Sequence, residues 1–168
     1  MYLPDHQVTL EPLRADHADA LFTFELENRK YFGSWIWDRG DEFFANFAAG
    51  LDARLAEQEA GICRFHVLVD GAGAVAGRVN LVDLEHGRAE LGYRIAERWA
   101  GKGLATAAVR AVIQLAAADY GLTALWAGAS DHNVASQTVL TRAGFRPIGV
   151  SSTDLGPGKK YELSLEDV

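Results

Sequence analysis

Cysteine is nearly absent: Cys63 is the single one among 168 residues. One thiol excludes an intrachain disulfide framework, and a reducing cytoplasm is the expected compartment. Long apolar runs are missing as well, and none approaches the ~20 residues of a membrane-spanning helix. The opening Met1-Tyr2-Leu3-Pro4-Asp5-His6 has neither a basic start nor an apolar core, so no signal peptide and no membrane association are expected. Positive charge is not in excess. The formal net charge is −7, whereas nucleic-acid binders carry a basic face. No nucleic-acid partner is therefore expected, and a cationic acceptor such as an amine suits the balance. Two phosphate-loop signatures are also missing: no Gly-x-x-x-x-Gly-Lys-Ser/Thr occurs, and no Gly-x-Gly-x-x-Gly follows an early strand. Neither a repeat, a low-complexity tract nor an interdomain linker interrupts the chain. With 49% hydrophobic and 23% charged residues, it reads as one globular domain over 1–168 whose core needs no staples.

The stretch that stands out is Arg98-Trp99-Ala100-Gly101-Lys102-Gly103-Leu104-Ala105-Thr106. An apolar-alternating run, 88–95, precedes it and a long helical pattern follows. Two glycines thus sit one residue apart at a strand-to-helix junction. Glycine permits φ > 0 and removes the Cβ atoms that would keep a ligand away. A helix start also presents N–H groups without internal partners, and its dipole favours anions. No Ser, Thr, Asp or Asn precedes Gly103 to cap the helix, as an ordinary start requires. Arg98 and Lys102 add cations at the same point, and Arg94 completes a cationic mouth.

Arg98-x-x-Gly101-x-Gly103 resembles the pyrophosphate-binding signature of the GNAT superfamily of N-acetyltransferases. Together with Glu90-Leu91-Gly92-Tyr93 it looks most like the branch of ribosomal-protein N-terminal acetyltransferases. Asn133-x-x-Ser136, followed by Gly144-Phe145, resembles that family's closing motif. The resemblance implies an α/β fold: a mixed, mostly antiparallel sheet of seven strands flanked by about four helices. It implies acetyl-coenzyme A as cosubstrate, no metal, and a primary amine as acceptor, either a protein N-terminus or a small molecule. Monomer and homodimer both remain open. Cofactor-binding residues on this reading are Tyr93, Arg94, Ile95, Arg98, Gly101, Lys102, Gly103, Leu104, Ala105, Thr106 and Asn133.

The pattern places strands at 8–13, 63–69, 75–84, 88–95, 123–127, 145–150 and 159–165. Helices are expected at 16–28, capped by Asp16, and at 41–58, 103–120 and 133–142. Residues 154–158 read as the turn of the last hairpin. Strand 123–127 should run parallel to 88–95 through the helical crossover. A wedge between those two strands would pair with an extended pantetheine arm as with an added strand. Gly92 is either the bulge that opens this wedge or a plain strand glycine.

Transfer from a thioester to an amine needs a proton acceptor and a stabilised leaving thiolate. Glu90 is the carboxylate inside strand 88–95, on one face with Gly92 and Arg94. It reads as the general base, or as a half-exposed glutamate paired with Arg78 or Arg94. Ser136 is the expected acid, by its matching position in the similar family, or an ordinary first-turn serine behind the Asn133 cap. Tyr93 ranks below Ser136 because it lies on the opposite strand face from Glu90. The aromatic stretch Tyr31, Phe32, Trp35 and Trp37 reads as a loop, and the resemblance implies that it is the acceptor contact, with core filling or a dimer contact as its alternative. Cys63 and His66, three apart on a strand, point to opposite faces and form neither a nucleophilic pair nor a zinc site. Two rival functions remain: a non-catalytic acyl-coenzyme A sensor, and a different nucleotide-phosphate binder using the same turn.

Overall fold

The structure, a computed structural model, describes residues 1–153 and 156–168. Alternation along β3 (Arg64–Asp70) shows how the layers are built. Phe65 and Val67 enter one apolar cluster and Leu68 another, on opposite faces of the sheet. On the Leu68 face α5 (Leu104–Ala118) lays Leu104, Ala108, Val112 and Ala116 against Val79, Leu81, Ala89, Leu91 and Leu125. On the other face Leu21 and Phe24 of α1 (Ala18–Glu27) and Leu51 of α4 (Phe47–Glu59) cover Phe65, Val67 and Val75.

The remaining strands are β1 (Tyr2–Leu3), β2 (Val8–Pro12), β4 (Val75–Glu85), β5 (Arg88–Ile95), β6 (Ala124–Ser130), β7 (Arg146–Thr153) and β8 (Gly156–Ser164). Their spatial order is β1-β2-β3-β4-β5-β6-β8-β7. Every neighbouring pair is antiparallel except β5 and β6, which run parallel through the α5 crossover as the pattern predicts. Among the described residues the sheet has eight strands, not seven. The extra one, β1, has two residues and pairs only through Tyr2–Thr9 and Leu3–Val8, too short to show alternation.

The helices also depart from expectation. Residues 41–58 do not form one helix but two, α3 (Asp41–Ala45) and α4, separated at Asn46 with φ −109° and ψ 25°. Edge-to-face pairing of Phe43 with Phe44 and Phe47, and of Phe47 with Phe22, at centroid distances of 5.1, 5.7 and 5.2 Å, accompanies the break. Tertiary aromatic packing overrides local propensity there. Asp16 does not cap α1; it lies inside a 3₁₀ turn, Ala15–His17, where the His17 ring accepts from the Arg14 N–H. A further short helix, α2 (Arg29–Phe32), begins the aromatic stretch that reads as a loop. Helix α6 (Val134–Arg142) matches its expected span. Among the described residues no helix is long and apolar enough to cross a membrane.

The final hairpin reaches further than its sequence pattern. β7 runs on to Thr153 and β8 starts at Gly156, inside the expected turn 154–158, of which Asp154 and Leu155 lie outside the described residues. Gly158 pairs with Ser130, and a Cβ there would collide with the Ala129 carbonyl and stand 2.7 Å from Thr153 Cγ2. Gly158 is thus what lets β8 lie closely on β6. Gly158→Ala is expected to lower unfolding free energy by ~1–3 kcal/mol in urea titration, as overpacking does. Gly128→Ala, whose Cβ meets nothing within 4 Å, should stay within about 0.5 kcal/mol of the parent.

Candidate active site

Strands β5 and β6 pair at Arg88–Ala124, Ala89–Leu125 and Glu90–Trp126, and no further. Beyond that point β5 continues on β4 and β6 continues on β8. The two strands therefore diverge and leave a gap with backbone on both sides. Gly92 is not a bulge: β4 and β5 stay in register through Asn80–Gly92 and on to Gly77–Ile95. The irregularity lies in β4 between Val82 and Glu85, where Asp83 takes φ 53°. Glycine still matters at the gap, since a Cβ on Gly92 or Gly128 would project into open space there.

At one end of the gap the chain leaves β5, makes a 3₁₀ turn at Glu97–Trp99 and enters α5. Gly101 and Gly103 have φ 73° and 78°. That left-handed conformation favours glycine and accounts for both. No side chain caps Gly103, so the first-turn N–H groups of α5 remain available to an anion. The groove from this turn is lined by Gly101, Gly103, Leu104, Ala105 and Thr106, by Tyr93, Arg94 and Ile95, by Asn133 and Ser136, and by Tyr31, Phe32 and Trp35. Of the expected cofactor and acceptor residues, three do not line it. Arg98 turns to the Val75 carbonyl at 3.4 Å and to Asp70 at 3.7 Å. Lys102 sets its ammonium 5.5 Å from the Trp99 ring centroid. Trp37 faces a small neighbouring pocket instead. Arg142, at the end of α6, lines the groove unforeseen and stands with Arg94 as its cationic side chains. Nothing in the residue spacing marks Arg142, because only the docking of α6 against α5 brings it there.

A second cavity adjoins the first and shares Trp35, Ile36, Tyr93, Asn133 and Ser136 with it. Glu90, Trp126, Gly128 and Ser151–Thr153 form its other walls. Of these only Glu90 is a sequence-predicted site residue; Trp126 reads in sequence as strand core. Asn133 accepts the Ser136 N–H at 3.1 Å and caps α6. The Tyr93 hydroxyl donates to Ser136 Oγ at 3.3 Å. Tyr93 does lie on the opposite strand face from Glu90, packed with Ala89 and Leu91 beneath α5. That parity does not remove Tyr93 from the site. It sets the two groups on either side of one gap.

Burial raises the Glu90 pKa above its ordinary 4.5, nearby Asp83 raises it further, and Lys160 partly offsets both. The Lys160 ammonium sits 4.5 Å over the Trp126 ring. Burial also raises the Tyr93 pKa, against the hydrogen bond to Ser136. The phenol therefore stays protonated at neutral pH. Among the described residues no three His, Cys, Asp or Glu side chains are grouped to hold a metal.

The profile of the acetyltransferase (GNAT) domain matches residues 7–146. The chain belongs to the GNAT acetyltransferase family. Its enzyme class is acetyl-coenzyme A-dependent N-acetyltransferase. It is 26% identical over 152 residues to the "Probable N-acetyltransferase YjcK" of Bacillus subtilis (strain 168), covering 86% of this chain and 83% of that one. Its fold matches the ribosomal-protein-S5-alanine acetyltransferase of Vibrio fischeri with TM-score 0.89 and 18% identity, over 96% and 94% of the two chains. RimJ of Mycobacterium smegmatis, in complex with a coenzyme A disulfide, matches with TM-score 0.87 and 21% identity, over 99% and 86%. The groove fits this cosubstrate: uncapped helix amides and two left-handed glycines suit a diphosphate, and the divergent strands suit an extended amide-bearing arm.

Because folding raises the Glu90 pKa, the native state binds more protons than the unfolded chain between the two pKa values, and stability falls as pH rises through that window. Glu90→Gln should therefore leave stability unchanged below pH 4.5, the ordinary value, and stabilise the protein above the raised one. Paired thermal melts from acid to neutral pH check this.

Proposed function

We propose that the enzyme acetylates a primary amine by direct attack within a ternary complex, with Glu90 as proton acceptor and Ser136 as proton donor. The observation that carries this reading is the placement of Glu90 and of the Tyr93–Ser136 pair on opposite sides of one strand gap. The amine enters over Gly92 and Gly128, on the Glu90 side, where no side chain obstructs. The bound thioester supplies the acetyl group. As the nitrogen–carbon bond forms and the carbon–sulfur bond breaks, Glu90 takes a proton from the amine nitrogen. Ser136 gives its proton toward the thiolate and is resupplied by Tyr93, whose hydrogen already points at Ser136 Oγ. A carboxylate whose pKa lies above 4.5 is a better base near neutral pH than an unperturbed one.

Trp35, Ile36 and Trp126 flank the approach and suit an ammonium on an apolar stem. For the acceptor we favour the α-amine of a protein N-terminus. The similarity in fold to the Vibrio fischeri ribosomal-protein acetyltransferase supports that choice. The single cysteine supports a reducing cytoplasm as the setting, and one sheet carrying all the strands of the described residues supports one acetyltransferase domain.

Thiol release from acetyl-coenzyme A, measured with an alanine-initiated peptide, spermidine and kanamycin, tests the reading. Turnover of at least one amine is expected, with the peptide fastest. Silence with all three despite coenzyme A binding would favour a sensor. Glu90→Gln should lower kcat/KM by ~10²–10⁴ with coenzyme A affinity retained, and it should remove the acidic limb of the pH–rate profile. Ser136→Ala should slow turnover, and adding Tyr93→Phe should slow it little further, because the two hydroxyls act as one relay.

A further inference from the structure

Glu25 projects from α1 and is 3% exposed. Three guanidinium groups from three elements converge on its carboxylate. Arg78 of β4 brings Nε to 3.0 Å from Oε1. Arg94 of β5 donates from Nη1 to Oε2 at 3.3 Å. Arg39, in the segment between α2 and α3, brings Nε to 3.4 Å from Oε2. Glu25 thus stands at close range to three positive charges where water has little access. Aromatic faces take up part of the surplus: Arg39 lies 4.6 Å over Phe43 and Arg94 5.1 Å over Phe32. Burial pushes the Arg78 pKa down, and Glu25 opposes that shift.

The segment 33–40 carries Trp35 and Ile36, which border both cavities. Arg29 ties it to its own flanks, donating to both Asp38 oxygens at 2.9 and 2.7 Å and to Asp41 at 2.9 Å. Those bonds are exposed and local. The Arg39–Glu25 contact is different in kind, because Glu25 is itself bound to β4 and β5. It links the aromatic segment to the strand that carries Glu90 and Tyr93.

We propose that Glu25 is a positioning residue that straps the Trp35–Ile36 segment to the sheet through Arg39 and so sets how firmly the acceptor amine is held. This rests on the acceptor side assigned above. Removing the carboxylate takes away the group that Arg39, Arg78 and Arg94 share at close range, and their mutual repulsion then pushes the most mobile of them outward. Arg39 is that one, since Arg78 and Arg94 stand on strands.

Hydrogen exchange and kinetics with an alanine-initiated peptide, or spermidine if the peptide is not turned over, test this. Arg39→Met should speed amide exchange within 33–40 by about tenfold, with α5 amides unchanged. It should raise the acceptor KM by about fivefold with a smaller effect on kcat. Arg39→Lys should restore part of both. Glu25→Gln should loosen the segment at least as much as Arg39→Met, Glu25→Asp should restore part, and the double variant should be no worse than Glu25→Gln alone, because Glu25→Gln already cuts the link that Arg39→Met removes. If Glu25→Gln does not fold, the Arg39 pair carries the test. Unchanged exchange in Arg39→Met, or multiplying effects in the double variant, overturns the strap. Faster exchange with an unchanged acceptor KM keeps the strap and overturns the acceptor role of the segment. An inactive Glu90→Gln enzyme in the same assay shows that the proton-acceptor assignment stands apart from either result.

Discussion

The β5–β6 ladder stops after three pairs, and the rest of the site is arranged around that stop. Parallel strands that part company leave backbone N–H and C=O groups with no strand opposite them. Such groups are expensive to bury and well suited to a ligand with amides of its own. Each strand keeps its outer partner, β4 for β5 and β8 for β6, so the opening is held rigid from both sides. The crossover helix α5 starts at the gap's end, and its uncapped amides lie where a diphosphate would sit at the end of an extended arm.

A gap between strands also separates the two faces of the sheet chemically. Period-2 alternation sends Glu90 to one face and Tyr93 to the other. The first face is open over Gly92 and Gly128; the second is packed beneath α5. One backbone thus places a carboxylate and a hydroxyl donor on opposite sides of one gap without any loop between them. Their environments diverge accordingly. Burial raises both pKa values, which makes the carboxylate more basic and keeps the phenol protonated.

The charge economy of the helical face follows a different rule. The chain is acidic overall, yet arginines crowd Glu25, Phe32, Phe43 and Phe44 around segment 33–40. Exposed pairs such as Arg29 with Asp38 contribute little to stability. The buried Glu25 cluster is tightly constrained by geometry, because a guanidinium that loses its carboxylate there has little water to replace it. That asymmetry is why one carboxylate can hold a segment whose ion pairs from Arg29 to Asp38 and Asp41 are exposed.

Residue order alone settles the local features. Glycines flank Lys102 because the backbone there is left-handed, Asn133 caps the helix it precedes, and alternation in Arg88–Ile95 assigns each side chain its face. These depend on interactions within a few residues, so short patterns encode them. Packing between distant elements decides the rest. It turns Arg98 and Lys102 out of the groove and brings Arg142 in, divides 41–58 at Asn46, and ends the β5–β6 ladder without a bulge at Gly92. It also gathers Arg39, Arg78 and Arg94 on Glu25 across a span of 69 residues. No spacing rule joins positions so far apart. Their meeting is set by how helices and strands stack, and that becomes definite only once the core has closed.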